Sequence, residues 1–237
     1  MWEGMYFANS GYMAMFAAGK TTGVVMECGE EITTAVPMYE GVTMPAANMR
    51  LNMGGRQITE YMCRLRGNLV DERYINLMKE EHGYVALDLK KEIAQPSSPT
   101  FFTLPDKSVI QLGQERYFGP EAFFHPSVIS MNMPEEGVQR LLYQAVLKCD
   151  PALRNDLLAN IVLDGNSTHT KGFKERLQQD VLLLAGHSVK IEHTDMPKGH
   201  AAWVGGAIVA SLELFQSSWI NKAEYDENGP VIFSKKC

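Results

Sequence analysis

The sequence has no basic tract. Its 28 Asp and Glu outnumber its 22 Lys and Arg, and the formal net charge is -6. No basic run is longer than a pair such as Lys235 and Lys236. Because nucleic acids and anionic membranes are recognised through clustered Lys and Arg side chains, we expect neither of them as a partner.

Long hydrophobic runs are also missing. No stretch approaches the roughly 18 apolar residues that a membrane-spanning helix requires. The longest candidate, residues 201–212, is short and interrupted by glycine. The apolar N-terminus carries Glu3 and has no basic leader, so it does not resemble a signal peptide. We therefore expect a cytoplasmic protein.

Neither the cysteines nor the histidines are spaced as metal ligands. The four cysteines contain no CxxC pair, and the six histidines are isolated from one another. A chain of 237 residues, 45% of them hydrophobic, can bury a core without disulfide bonds. We expect free thiols and no directly bound metal ion.

Apolar and β-branched patterns indicate an α/β protein. Helices are expected over residues 5–18, 57–65, 70–81, 138–147, 152–158 and 173–185. Hairpins are expected from strands 22–27 and 31–36 and from strands 100–104 and 108–112; strands 161–163 and 189–191 flank the helix 173–185 as a βαβ unit. Residues 113–126 read as a loop. The C-terminal part suggests a short strand at 203–204, a glycine turn at 205–206, a helix over 207–214 and a polar tail.

Two loops have the composition that phosphate groups require. In CGEE, at the tip of the first hairpin, Gly29 lets backbone N–H groups approach an anion, and Glu27 at the strand end could hold a magnesium-bound water. In DGNST, Gly165 and the residues after it lead into a helix whose dipole favours phosphate. The alternative is that both loops serve only as turns, because such loops are common in α/β proteins.

Longer strings carry a more specific signal. They are AGKTTGVVMECG, VPMYEG, LNMGGRQITEYM, GYVALDLKKEIA, LPDKSVIQLGQERYFGPEAFFHPS, KCDPALRNDLLANIVLDG, AAWVGGAIVASLELFQSSWI and EYDENGPVIFSKKC. In this order they resemble consecutive segments of the actin family, over essentially the whole chain. A sugar or glycerol kinase of the same superfold is disfavoured, since no sugar-binding signature appears.

The resemblance implies an α/β protein of the actin/hexokinase/Hsp70-like fold, with one complete lobe and remnants of the other. Residues 1–18 correspond to a linker helix and a remnant of the first lobe. Residues 19–200 correspond to the second lobe, with an inserted helical subdomain at about 54–131. Residues 201–237 correspond to the C-terminal helices of the first lobe.

By resemblance, ATP with Mg²⁺ or Ca²⁺ is the cofactor of such a fold. The second phosphate loop corresponds to Gly29, Glu30, Glu31 and Ile32; the surroundings of base and ribose to Gly55, Lys79 and Glu80; and the adenosine loop to Gly165, Asn166, Ser167 and Thr168.

Several positions depart from the family pattern. Ser10 stands where the family has the glutamine that orients water, Thr34 replaces a histidine, and Glu27 replaces an aspartate. Glu31 and Asn166 replace glycines, Thr170 and Gly199 replace the tyrosine and lysine that flank the adenine, and the first phosphate loop has no counterpart. We therefore interpret Ser10, Glu27 and Thr34 as a degenerate catalytic group. ATP binding is expected to be weak or absent, without efficient hydrolysis.

The surface that binds partners in the family is retained. It corresponds to Phe16, Ala17, Gly19, Thr21, Val204, Ile208, Val209 and Leu212; ordinary helix packing is the alternative explanation. The C-terminal residues Ile208, Val209, Leu212, Phe215, Trp219 and Ile220 are expected to expose apolar surface that another protein covers.

These observations predict an actin-like cytoskeletal protein that acts by assembly or protein binding. Its expected partners are other actin or actin-like subunits and actin-binding proteins. The alternative is an ATP-binding, filament-forming actin whose N-terminal third lies outside this sequence.

Overall fold

A computed structural model describes residues 4–95 and 98–237. The strands are β1 (Gly23–Cys28), β2 (Thr33–Tyr39), β3 (Val42–Thr43), β4 (Met49–Leu51), β5 (Thr100–Thr103), β6 (Val109–Leu112), β7 (Ile161–Asp164) and β8 (Ile191–His193). The α-helices are α1 (Ser10–Ala17), α2 (Gly55–Leu65), α3 (Glu72–His82), α4 (Leu89–Ala94), α5 (Glu115–Glu121), α6 (Val138–Leu147), α7 (Arg154–Leu158), α8 (Phe173–Ala185), α9 (Ala201–Ser211), α10 (Lys222–Asn228) and α11 (Val231–Lys236). Short 3-10 helices cover Pro45–Ala47, Pro126–Val128, Asn166–His169 and Glu213–Ser218.

A six-stranded sheet lies at the centre, in the order β3-β2-β1-β7-β8, with β4 also paired to β2. β1 runs antiparallel to β2 and parallel to β7, and β7 runs parallel to β8. Both predicted hairpins and the βαβ unit with α8 as its crossover helix are confirmed. The second strand of that unit, predicted at residues 189–191, lies two residues later, at Ile191–His193. The strand expected over residues 31–36 begins later, at Thr33, because the carbonyl of Ile32 accepts a hydrogen bond from the Gly29 amide and completes the turn.

The central strand β1 is covered on both faces. Val24 and Met26 point into the larger hydrophobic cluster, which contains side chains of α2, α6 and α8. Val25 points the other way, into a smaller cluster with Val36 and Val162 under α1 and α9. This alternation follows from the two-residue period of a strand. Burial on both faces explains why the sequence of β1 is almost continuously apolar.

The first helix is shorter than expected. The prediction of a helix over residues 5–18 is wrong for its first turn, because α1 begins at Ser10. Asn9 caps α1 by accepting a hydrogen bond from the Gly11 amide at 2.9 Å. Met5 instead pairs with Ile220 through two backbone hydrogen bonds of 2.9 Å. The start of the chain is thus fixed by residues that are distant in sequence, which local periodicity does not reveal.

The prediction of a strand, a glycine turn and a helix over residues 203–214 is also wrong. One helix, α9, covers Ala201–Ser211 and packs against α1. Gly205 lies at the contact: a Cβ atom added there would be 1.7 Å from the carbonyl oxygen of Met13. Gly205 therefore allows two helix backbones to approach closely, where the glycine pair suggested a turn.

Regions expected to be irregular contain further helices. The segment 113–126, read as a loop, contains α5, although Pro120 within it disfavours an isolated helix. The C-terminal tail forms α10 and α11. α10 begins with a capping box between Asn221 and Glu224, a local signal that could have identified it.

The neighbouring glycines of α9 give a matched pair of variants. Gly205→Ala is expected to reduce the free energy of unfolding by about 1–3 kcal/mol, because the added methyl group overlaps the Met13 backbone. Gly206→Ala is expected to increase it by about 0.5–1 kcal/mol, because nothing lies within 4 Å and alanine favours a helix. Urea denaturation of both variants tests this, and equal changes of the same sign would contradict the packing.

Candidate functional site

One pocket collects much of the predicted cofactor site. Its lining includes the predicted residues Glu30, Gly55, Lys79, Glu80, Asn166 and Ser167. Sequence reasoning did not assign its remaining lining residues Ile58, Pro120, Phe123, His169 and Lys198 to the site, although it did name Thr170 as a departure from the family. The pocket therefore has an apolar wall, two carboxylates and two ammonium groups around a polar floor.

A buried ion pair between α5 and α8 positions part of the apolar wall of the pocket. Glu121, at the end of α5 and fully buried, accepts from Nη1 and Nη2 of Arg176 at 3.3 Å and lies 2.7 Å from Nδ1 of His125. Arg176 also donates to the carbonyl of Ala86 at 2.8 Å. These bonds tie α5 to α8 and so fix Pro120 on the pocket wall. No sequence pattern indicated this network.

Three backbone segments meet beneath the pocket. A Cβ atom added to Gly54 would lie 2.5 Å from the carbonyl oxygen of Glu30. One added to Gly165, whose φ is +84°, would lie 2.3 Å from the carbonyl oxygen of Cys28. The hairpin between β1 and β2 is therefore in direct backbone contact with both the start of α2 and the loop after β7. Only residues without a side chain fit at these two points.

Lys79 has a structural role in addition to its place in the pocket. Its Nζ donates to the carbonyl of Gly55 at 2.9 Å and to Oγ1 of Thr59 at 2.7 Å. Burial lowers the pKa of Lys79, while Glu30 acts in the opposite direction. Two of its three protons hold α3 against α2, which leaves one for a ligand.

The predicted phosphate loops make mostly internal hydrogen bonds. The Gly29 amide donates to the Ile32 carbonyl at 3.0 Å, and the Gly29 carbonyl accepts from the Gly55 amide at 2.9 Å. Thr168 is buried, and its hydroxyl donates to the Gly165 carbonyl at 2.8 Å. Both loops are thus closed turns, consistent with the alternative interpretation that the sequence left open.

The predicted catalytic group lies together at the end of the sheet. Ser10 Oγ donates to Glu27 Oε2 at 2.6 Å, and Thr34 is the cross-strand partner of Glu27. Asp164, the neighbour of Glu27 on β7, was not identified from the sequence, although it begins the DGNST motif. Burial raises the pKa of Glu27, as does the charge of Asp164, while the bond from Ser10 lowers it.

A raised pKa gives Glu27 a pH-dependent effect on stability. The folded state favours the protonated carboxyl, so stabilisation is present below the ordinary glutamate pKa of about 4.3 and is lost as the pH rises through the folded value. At pH 7, Glu27→Gln is expected to unfold at a higher temperature than the parent chain, and the difference should shrink below pH 4. Thermal unfolding between pH 3.5 and 8 measures this.

Ser10→Ala serves as the control for that experiment. It removes the hydrogen bond that favours the Glu27 carboxylate, so this variant should unfold at a lower temperature at pH 7. A Glu27→Gln variant that is less stable than the parent at neutral pH would contradict the assignment.

The predicted partner-binding residues lie on two packed helices. Phe16 and Ala17 end α1, Gly19 and Thr21 follow it, and Val204, Ile208, Val209 and Leu212 lie on or directly after α9. α1 and α9 are in contact, so the structure brings these residues to one region. Val209 is buried, whereas Gly19, Thr21, Ile208 and Leu212 are exposed.

The apolar surface near the C-terminus is only partly bare. Ile220 is fully buried against the N-terminal segment, and Phe215 contacts Tyr6 edge-to-face at 4.9 Å. The expectation that Val209 and Ile220 are exposed is therefore wrong, since α1 and the Met5 segment cover them. Trp203 and Leu214 remain 75% and 90% exposed.

The mixed sheet with helices on both faces is consistent with an α/β protein of actin-like fold. The family model described as Actin matches residues 2–76 and 66–237. The chain belongs to the actin family.

Two further observations concern the part of the chain that the structure describes. Within it, no helix is long and apolar enough to cross a membrane. Among the same residues, no group of three or more His, Cys, Asp or Glu side chains could hold a metal ion. Cys28, Cys63, Cys149 and Cys237 are free thiols.

Proposed function

We propose that this chain is a cytoskeletal protein of the cytoplasm that works by assembly, either with other actin or actin-like subunits or with actin-binding proteins. The observation that carries the proposal is the exposed apolar surface of α9 and of the residues that follow it. This surface consists of Trp203, Ala207, Ile208, Leu212 and Leu214, all of them exposed.

Spacing along α9 divides these side chains into two pairs. Trp203 and Ala207 are four residues apart, on the side opposite the buried Ala201, Gly205 and Val209. Ile208 and Leu212 are also four residues apart, and they flank the buried side, next to the contact with α1. Burying a leucine side chain contributes roughly 1.5–3 kcal/mol. Exposed apolar side chains on both sides of one helix favour a protein partner that covers them.

We also propose that the nucleotide cleft is degenerate. Ser10, which replaces a glutamine of the family, is bonded to Glu27 and so poorly placed to orient an attacking water. Two of the three Lys79 protons and the Gly29 amide are already engaged within the chain. ATP with Mg²⁺ or Ca²⁺ is expected to bind weakly or not at all, and efficient hydrolysis is not expected, because hydrolysis requires an oriented water and balanced charge.

The second candidate is an ATP-binding, filament-forming actin. The observation that favours it is the convergence of Gly55, Lys79, Glu80 and Ser167 on one pocket, as the family resemblance implies. The division into lobes, with residues 19–200 as the second lobe and 54–131 as an inserted subdomain, also remains a prediction.

Assembly can be tested with two equally exposed leucines. Leu214→Ser is expected to weaken self-association or cosedimentation with conventional actin by about tenfold, the effect of losing roughly 1.4 kcal/mol of apolar contact. Leu69→Ser is the matched control, because Leu69 is 87% exposed but belongs to the loop between α2 and α3. Light scattering coupled to chromatography, together with cosedimentation, measures both. A parent chain that stays monomeric at high concentration and does not cosediment with actin would overturn the proposal.

Nucleotide binding separates the two candidates. Isothermal titration of the chain with Mg-ATP is expected to show a Kd in the millimolar range or no heat of binding. A Kd of about 1 μM, which corresponds to roughly 8 kcal/mol of binding free energy, would overturn the degenerate cleft and support the second candidate.

A further inference from the structure

Four charged side chains meet where the first hairpin touches α2. Glu31 Oε1 lies 2.8 Å from Nη1 of Arg56, and Glu30 Oε1 lies 3.8 Å from Nε of the same arginine. A Cβ atom placed on Gly55 would be 3.1 Å from Glu30 Oε2 and 3.4 Å from Lys79 Nζ. Two carboxylates and two cations are therefore grouped at this junction, and two of them, Glu30 and Lys79, also line the pocket.

The backbone at the same place is already paired. The Gly55 amide donates to the Gly29 carbonyl at 2.9 Å, and the Arg56 amide donates to the Glu30 carbonyl at 2.8 Å. These amide groups at the start of α2 would otherwise attract an anion. The hairpin carbonyls occupy them, which leaves the side chains of Arg56 and Lys79 as the cationic groups at this junction.

We infer that Glu31 disfavours phosphorylated ligands where the first hairpin meets α2: its carboxylate occupies Arg56 in place of an external anion. The inference rests on the proposed function, because it supplies a cause for the degenerate cleft. Guanidinium groups bind carboxylate and phosphate with the same fork geometry. An incoming triphosphate would have to displace a tethered carboxylate and then lie beside two negative charges.

Because the ion pair between Arg56 and Glu31 is exposed to solvent, it is expected to affect anion binding more than folding. The side chains of Arg56 and Glu31 are 50% and 57% exposed, and ion pairs of this kind add little to folding stability. Substitutions at either position are therefore expected to leave the fold intact. Their effect should appear in the affinity for anions.

The test uses inorganic triphosphate as the probe at low ionic strength. Glu31→Gln is expected to raise the association constant about tenfold over the parent chain, since it frees Arg56 and removes one repelling charge. The control Glu227→Gln makes the same change of net charge at an exposed site on α10 and is expected to have no effect. Added salt should reduce the gain.

A double variant identifies the group that becomes available. Glu31→Gln with Arg56→Gln is expected to lose the gain, and Glu31→Ser should reproduce it if Gln perturbs the turn. Binding by Glu31→Gln that is no tighter than that of Glu227→Gln would overturn the inference. A gain that persists in the double variant would also overturn it.

The two hypotheses fail in different ways. Micromolar Mg-ATP binding by the parent chain would refute the degenerate cleft. Unchanged triphosphate binding in Glu31→Gln would refute the role of Glu31 and leave the assembly proposal in place.

Discussion

The site depends on close contact between backbones at the tip of the first hairpin. The carbonyl groups of Cys28, Gly29 and Glu30 face the start of α2 on one side and the loop after β7 on the other. Gly54 and Gly165 make this possible, because any side chain at either position would overlap these carbonyl groups. β1, the strand that leads to this tip, pairs with both β2 and β7.

A close-packed junction of this kind leaves few polar groups free. The hydrogen bonds that close the hairpin and cap α2 use amides that could otherwise bind an anion. Two of the three protons of the Lys79 ammonium group are likewise used, to hold α3 against α2. A fold can therefore retain the geometry of a ligand site while its donors are used within the chain. In such a site, family membership indicates the shape of the pocket. Which ligands can bind depends on how many hydrogen-bond donors are not already bonded within the chain.

Sequence reasoning was most successful where a pattern is local. The boundaries of α6 and α8 were predicted to the residue, because their apolar side chains follow the helical period without interruption. The hairpin of β1 and β2 was found from its β-branched runs, and part of the pocket lining had been named through the family resemblance. Each of these signals lies within a short stretch of chain.

The errors arose where distant residues decide the structure. The two glycines of α9 suggested a turn, whereas Gly205 is at this position because the α1 backbone packs against it. Asp164 beside Glu27, and the pairing of Arg56 with Glu31, depend on strand register and on a loop contact. No periodicity within one segment predicts an interaction that a second segment completes.

The bridge between Met5 and Ile220 has a consequence for folding kinetics. Together with the bond from the Phe7 amide to Cys237 Sγ, at a sequence separation of 230 residues, it joins the two ends of the described chain. Contacts of such high separation close a large loop and are entropically costly before the rest has collapsed. These hydrogen bonds between the two ends therefore form late in folding, after the sheet and its flanking helices have assembled.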